Sequence, residues 1–141
     1  MDIQSHHLRN DPTTAPATER FARFLVESLE EYGDSLDDVT ACFDYARERG
    51  GLLLVARDGD DVLGVAVTNE TGMSGYIPAN ILVYLAVAPA ARRRGVGMAL
   101  MTEVNRLEGG VALHVEKDNP ARALYERSGF EAKYIEMRRS A

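Results

Sequence analysis

Two hydrophobic periods alternate along this chain. After Thr18, apolar side chains recur at helical spacing through Phe21, Phe24, Leu25 and Leu29. Tyr32-Gly33-Asp34-Ser35 breaks that pattern, and Leu36, Val39, Cys42, Phe43 and Ala46 resume it, which predicts a second helix over about 36–49 ending near Gly50-Gly51. The period then shortens. Leu52 to Arg57 and Val62 to Thr68 read as strands joined by the hairpin signal Asp58-Gly59-Asp60-Asp61. A glycine- and proline-containing loop follows over 69–80, then the buried strand Ile81–Val87, closed by Ala88-Pro89. Met98 to Leu107 sets Leu100, Met101, Val104 and Leu107 on one helical face, stopped by Gly109-Gly110. Val111 to Val115 predicts a strand, Pro120 to Arg127 a helix ended by Ser128-Gly129, and Phe130 to Arg138 one or two terminal strands. A short first strand is expected at Ile3 to Leu8, before a turn at Asn10-Asp11-Pro12. The order β-α-α-β-β-β-α-β-α-β(-β) describes a mixed α/β (α+β) sheet containing a βαβ unit.

Composition narrows the class. A length of 141 residues bounds one domain, 1–141, able to bury its own core, and 45% apolar with 27% charged residues is ordinary for a globular protein. A formal net charge of −6 argues against non-specific nucleic-acid binding. No apolar run reaches the length of a membrane span, and Met1-Asp2-Ile3-Gln4 does not read as a signal peptide, so a cytoplasmic location is expected. The single cysteine, Cys42, lies in a helical pattern and reads as a buried thiol rather than a nucleophile. The adjacent His6 and His7 would point to opposite faces of a strand, a poor arrangement for joint metal ligation, and no metal site is expected. Between residues 27 and 44 stand Glu27, Glu30, Glu31, Asp34, Asp37, Asp38 and Asp44 without a Lys or Arg. Such a surface is either a solvated face or one that favours a cationic partner.

Candidate chemistry concentrates in Arg92-Arg93-Arg94-Gly95-Val96-Gly97, between a buried strand and an amphipathic helix. A glycine turn opening a helix offers unpaired N–H groups and the positive end of the helix dipole, and neighbouring arginines add attraction for phosphate. The dinucleotide pattern G-x-G-x-x-G would require glycine where Leu100 stands, and G-x-x-x-x-G-K-[ST] has no match.

The run Leu85-Ala86-Val87-Ala88-Pro89 through Arg92-Arg93-Arg94-Gly95-Val96-Gly97 resembles the pyrophosphate motif of the GNAT superfamily of acetyl-CoA-dependent N-acetyltransferases. Asp118-Asn119-Pro120-Ala121-Arg122-Ala123-Leu124-Tyr125-Glu126-Arg127-Ser128-Gly129-Phe130 resembles that family's second motif. The resemblance implies a mixed, mostly antiparallel central sheet flanked by helices, acetyl-CoA as co-substrate, and a primary amine as acceptor. It further implies a sheet splayed between the strands at 81–87 and 111–115. There the backbone of Leu85, Ala86 and Val87 would hold the pantetheine arm, and Arg92–Arg94 with the N–H groups of Gly95, Val96, Gly97 and Met98 would hold phosphates. Asn119, the expected cap of its helix, would hydrogen-bond the cofactor arm.

Attack of an amine on a thioester builds an oxyanion and expels a thiolate, so an oxyanion donor, a base and an acid all help. By resemblance the Val87 N–H is the oxyanion donor and Tyr125 the acid, because a phenol stays protonated at neutral pH. For the base, His114 and Glu116 share one side of a strand at 111–115, and Tyr84 is a third candidate. A water relay, or an amine arriving neutral, would need none. Two other functions stay open on the same residues: a non-catalytic acyl-CoA-binding or interaction module, and an acyltransferase for longer acyl-CoA chains. Terminal strands in this superfamily often pair between subunits, which makes a homodimer an expectation for this chain.

Overall fold

The computed structural model describes residues 1–11 and 17–141. In chain order its elements are β1 (Asp2–His7), α1 (Glu19–Leu29), a 3-10 turn at Glu30–Tyr32, α2 (Leu36–Arg49), β2 (Gly51–Asp58), β3 (Asp61–Glu70), β4 (Asn80–Val87), a 3-10 turn at Pro89–Ala91, α3 (Val96–Val104), β5 (Val111–Leu113) and α4 (Ala121–Arg127). Pro12, the last residue of the turn expected at 10–12, lies outside the described residues.

The strands form one sheet in the order β1-β2-β3-β4-β5. Neighbours from β1 to β4 are antiparallel, and β4–β5 alone is parallel. Strand alternation divides the core into layers. On one face Leu53, Val55, Val65, Val67 and Ala86 meet Phe21, Leu25, Val39, Phe43 and Ala46 of α1 and α2. On the other, Leu54, Ala56, Ala66, Leu82 and Leu85 meet Val96, Leu100, Met101 and Val104 of α3, with Tyr125 of α4. Both faces of β2 are covered, so its residues 52–56 are apolar without interruption and fully buried.

Local signals explain most boundaries. Ser35 caps α2, its Oγ accepting from the Asp38 N–H at 3.2 Å, with Asp37 and Asp38 in the first turn and Arg47 and Arg49 in the last. Beyond Val104 the chain tightens, the Arg106 and Leu107 N–H groups donating to Glu103 and Val104, so α3 stops short of Leu107 while that side chain still packs on the core. Among the described residues no helix is long and apolar enough to cross a membrane.

The end of the chain departs from expectation. β5 stops at Leu113 rather than Val115, and no strand follows α4 among the described residues. Tyr134, Ile135 and Met137 are 80%, 87% and 88% exposed. A strand needs a partner edge, and β5 offers only a short one. The terminal run also mixes its apolar positions with Glu131, Lys133, Glu136 and Arg138, so it has no clean face to bury.

Candidate active site

The sheet opens beside β4. Pairing between β4 and β5 covers Asn80–Leu82 against Val111–Leu113 and ends there. At the same point the β3–β4 register passes from Thr68↔Leu82 to Val67↔Tyr84, leaving Val83 as a bulge. A bulge bends its strand and increases the twist, so β4 leaves β5 from Val83 onward. The Ala88 N–H donates to the Leu63 carbonyl at 2.8 Å. By the strand's alternation Ala86 also faces β3, while the N–H and C=O groups of Leu85 and Val87 point into the gap.

The gap leads to the N-terminus of α3. Gly95 stands at the cap with φ of 80°, a left-handed conformation that favours glycine, and Arg93 is left-handed too at 64°. No side chain caps this helix among the described residues, and its first backbone bond runs from the Ala99 N–H to the Gly95 carbonyl at 3.0 Å. The N–H groups of Val96, Gly97 and Met98 therefore face the turn as donors for an anion or water.

The arginines divide. Arg92 is drawn to the end of α1, where its Nη2 donates to the Ser28 carbonyl at 3.1 Å and lies 4.0 Å from Glu30 Oε1. Arg93 and Arg94 are exposed and form no ion pair among the described residues. Gly97 turns its missing side chain to α4 rather than to the mouth of the turn. A Cβ there would stand 2.9 Å from Leu124 Cδ2, so this glycine serves helix packing.

Tyr125 lies on α4, 9% exposed, with its ring 6.4 Å from that of Phe130. Burial pushes its phenol up to about 12, so it stays a proton donor at neutral pH. Its hydroxyl makes no hydrogen bond among the described residues. Asn119 accepts from the Ala121 N–H through Oδ1 at 2.9 Å, but the cap of α4 is Pro120, so Asn119 stands one residue ahead of the cap position expected for it. His114 and Glu116 are exposed and lie past the end of β5, where strand alternation no longer orients them. Cys42 is buried, donates to Asn69 Oδ1 at 3.8 Å, and burial raises its thiol to about 12, which keeps it protonated.

Tyr84 is half-buried on the α1/α2 face, and its hydroxyl donates to Asp34 Oδ2 at 2.5 Å. Burial, with the Asp34 carboxylate beside it, lifts this phenol far above its ordinary range. Expected as a base, it is a held donor instead. Tyr32 donates to the Asp118 carbonyl at 3.3 Å, and partial burial with the nearby Asp118, Glu31 and Glu116 carboxylates raises its phenol. Residues 28–34 thus touch β4, the turn before α3 and the loop before α4. Sequence reasoning gave Tyr32 no role and read Asp34 only as part of a helix break and of the acidic stretch over 27–44; those two features were the available signals.

Fold and site together define an α/β protein with a split sheet whose gap runs into a turn of open backbone N–H groups. The chain belongs to the GNAT family: the acetyltransferase (GNAT) domain model matches residues 49–132. It is 34% identical to a mycothiol acetyltransferase of Clavibacter michiganensis subsp. michiganensis over 134 residues, covering 85% of this chain and 43% of the relative. The chain spans less than half the length of the curated relatives it matches. A GNAT-family structure from Desulfovibrio desulfuricans superposes with a TM-score of 0.70 at 26% identity, covering 94% of this chain and 87% of that one. Aminoglycoside N-acetyltransferase AAC(6')-Iy in complex with CoA shares the fold, with a TM-score of 0.65 at 19% identity over 99% of this chain and 95% of that one.

Proposed function

We propose that residues 1–141 form a single N-acetyltransferase domain that moves an acetyl group from acetyl-CoA to a primary amine, by direct attack in a ternary complex in the cytoplasm. The observation that carries this reading is the gap beside β4, with the backbone groups of Leu85 and Val87 open and the N-terminus of α3 at its end. An extended, amide-bearing arm ending in phosphates matches both parts: strand-like pairing along β4, and anion binding at the turn. The CoA held by the structural neighbour AAC(6')-Iy supports the same assignment.

Bound acetyl-CoA supplies a thioester that accepts the amine and a thiolate that leaves. Arg93, Arg94 and the N–H groups of Val96, Gly97 and Met98 hold the phosphates. Arg92 steadies the turn through α1. With phosphates at α3, the reacting end lies toward the closed apex of the gap at Leu82. The Leu85 N–H is deeper than that of Val87, so in this reading Leu85 donates to the developing oxyanion and Val87 holds the arm. Tyr125 delivers the proton to the departing sulfur. Asn119 sets the start of α4 and thereby the placement of Tyr125.

Small-molecule amines are the favoured acceptors, in line with the aminoglycoside and mycothiol acetyltransferases among the relatives. A homodimer is supported by the exposed Tyr134, Ile135 and Met137 together with the short outer edge of β5. The test is to titrate acetyl-CoA while following the melting temperature, then to screen an amine panel for CoA release. Stabilisation by acetyl-CoA with transfer to at least one amine is expected; absence of binding would overturn the reading. Binding without transfer would identify a non-catalytic acyl-CoA-binding module.

A further inference from the structure

None of the expected bases is held as a free acceptor on β4. Tyr84 holds its proton against Asp34, and His114 and Glu116 stand exposed beyond β5. Asp34 is a carboxylate acceptor brought to β4 by Tyr84. It lies in the link between α1 and α2, and Tyr84 carries it to β4 at the first register position past the last β4–β5 pair. Tyr84 immediately precedes Leu85, whose backbone opens into the gap. Among the described residues only Oδ2 is taken, by the hydroxyl at 2.5 Å, which leaves the other carboxylate oxygen for a second donor. The carboxylate is exposed, so a proton it receives can pass on to water. The link itself is fixed from three sides, by Arg92 at Ser28, by Tyr32 at Asp118 and by Tyr84 at Asp34.

We propose that Asp34 takes the proton from the acceptor's ammonium, with Tyr84 as the residue that positions it. This rests on the acetyltransferase reading above. The balance is as follows. The ammonium gives one proton to the Asp34 carboxylate, which releases it to water. The freed nitrogen forms its bond to the acyl carbon as the C–S bond breaks. The departing sulfur takes the Tyr125 proton, and the tyrosinate regains one from the newly acylated nitrogen. Products are the amide, the CoA thiol and one proton in solution. The titratable groups that act on the Tyr84–Asp34 pair from α2 are Asp38 and Cys42. Cys42 stays a neutral thiol, and Asp38, as a second carboxylate, favours arrival of a cation.

The experiment compares wild type with Asp34→Asn, Asp34→Glu, Tyr84→Phe and Glu116→Gln. The panel holds 1-aminobutane, 1,4-diaminobutane, an amino sugar and an amino acid amide, and the fastest substrate is followed from near pH 7 to near pH 10. Asn keeps an oxygen for Tyr84, so the first variant removes the charge and spares the hydrogen bond. For Asp34→Asn, kcat/KM is expected to fall about 100-fold near pH 7. The deficit should shrink below about tenfold near pH 10, where much of an alkylamine arrives neutral. Asp34→Glu should recover part of the loss, and Tyr84→Phe should lower kcat. All variants should keep the acetyl-CoA KM and its thermal stabilisation. A deficit that is absent, confined to the amine KM, or equal at every pH overturns the proposal. A pH-rescued loss in Glu116→Gln instead does the same. Wild type that binds acetyl-CoA but acetylates no amine overturns the acetyltransferase reading itself.

Discussion

Replacing Tyr125 by phenylalanine separates chemistry from folding. The change removes one oxygen from a side chain that is 9% exposed and leaves the ring against Phe130 and the α3 layer. The hydroxyl has no hydrogen-bond partner among the described residues, so its loss orphans nothing. Folding stability should change by no more than about 0.5 kcal/mol. Turnover should change greatly. With the phenol raised to about 12, only about one molecule in 10⁵ lacks the proton at pH 7. A positioned acid is worth about 10²- to 10⁴-fold, or about 3 to 5 kcal/mol of barrier. CoA release at saturating acetyl-CoA and amine measures kcat, while thermal melts and acetyl-CoA titration run in parallel. The expected outcome is a large fall in kcat with an unchanged melt and unchanged affinity. Wild-type kcat in the variant, or a loss matched by unfolding, would refute the assignment.

Further expectations follow from neighbouring contacts. Because burial raises the folded Tyr125 pKa to about 12 from the ordinary 10.0, the unfolded chain loses its phenol proton first, and wild type loses stability as pH rises from 10 through 12. That loss is about 2 to 3 kcal/mol, so denaturant melts of Tyr125→Phe should fall less steeply than wild type over this window. Arg93→Ala and Arg94→Ala should each weaken acetyl-CoA binding about tenfold, read by calorimetry, by removing a charged hydrogen-bond donor. Arg92→Ala should instead cost about 1 kcal/mol of folding stability through the lost Ser28 contact and largely spare affinity. If residues 131–141 join copies, light scattering should find a dimer for the full chain and a monomer for one ended at Phe130. A monomeric full chain would remove the dimer.

What was legible in the sequence was local. Ser35 followed by acidic residues and then an apolar stripe specifies α2 almost to the residue, and Asp58–Asp61 marks its hairpin, because caps and turns act within a few positions. Gly95 announced the turn for the same reason: its left-handed φ has few other tenants. The split in the sheet was implied only by resemblance. It arises where a bulge at Val83 coincides with the early end of β5, and neither has a period to read. The Tyr84–Asp34 bond joins residues 50 apart, and the direction of Arg92 depends on where α1 ends. The terminal strands failed for a related reason. Strand-like composition over 130–138 states a preference, but pairing needs an edge, and β5 supplies almost none.

The most direct test is to incubate the protein with acetyl-CoA carrying a labelled acetyl group and the amine panel, and to weigh the products by mass spectrometry. The expected result is one amine carrying the label, formed in step with free CoA thiol and abolished by Tyr125→Phe. Intact acetyl-CoA and unlabelled amines, from protein that melts higher in the presence of acetyl-CoA, would contradict acetyl transfer at this site.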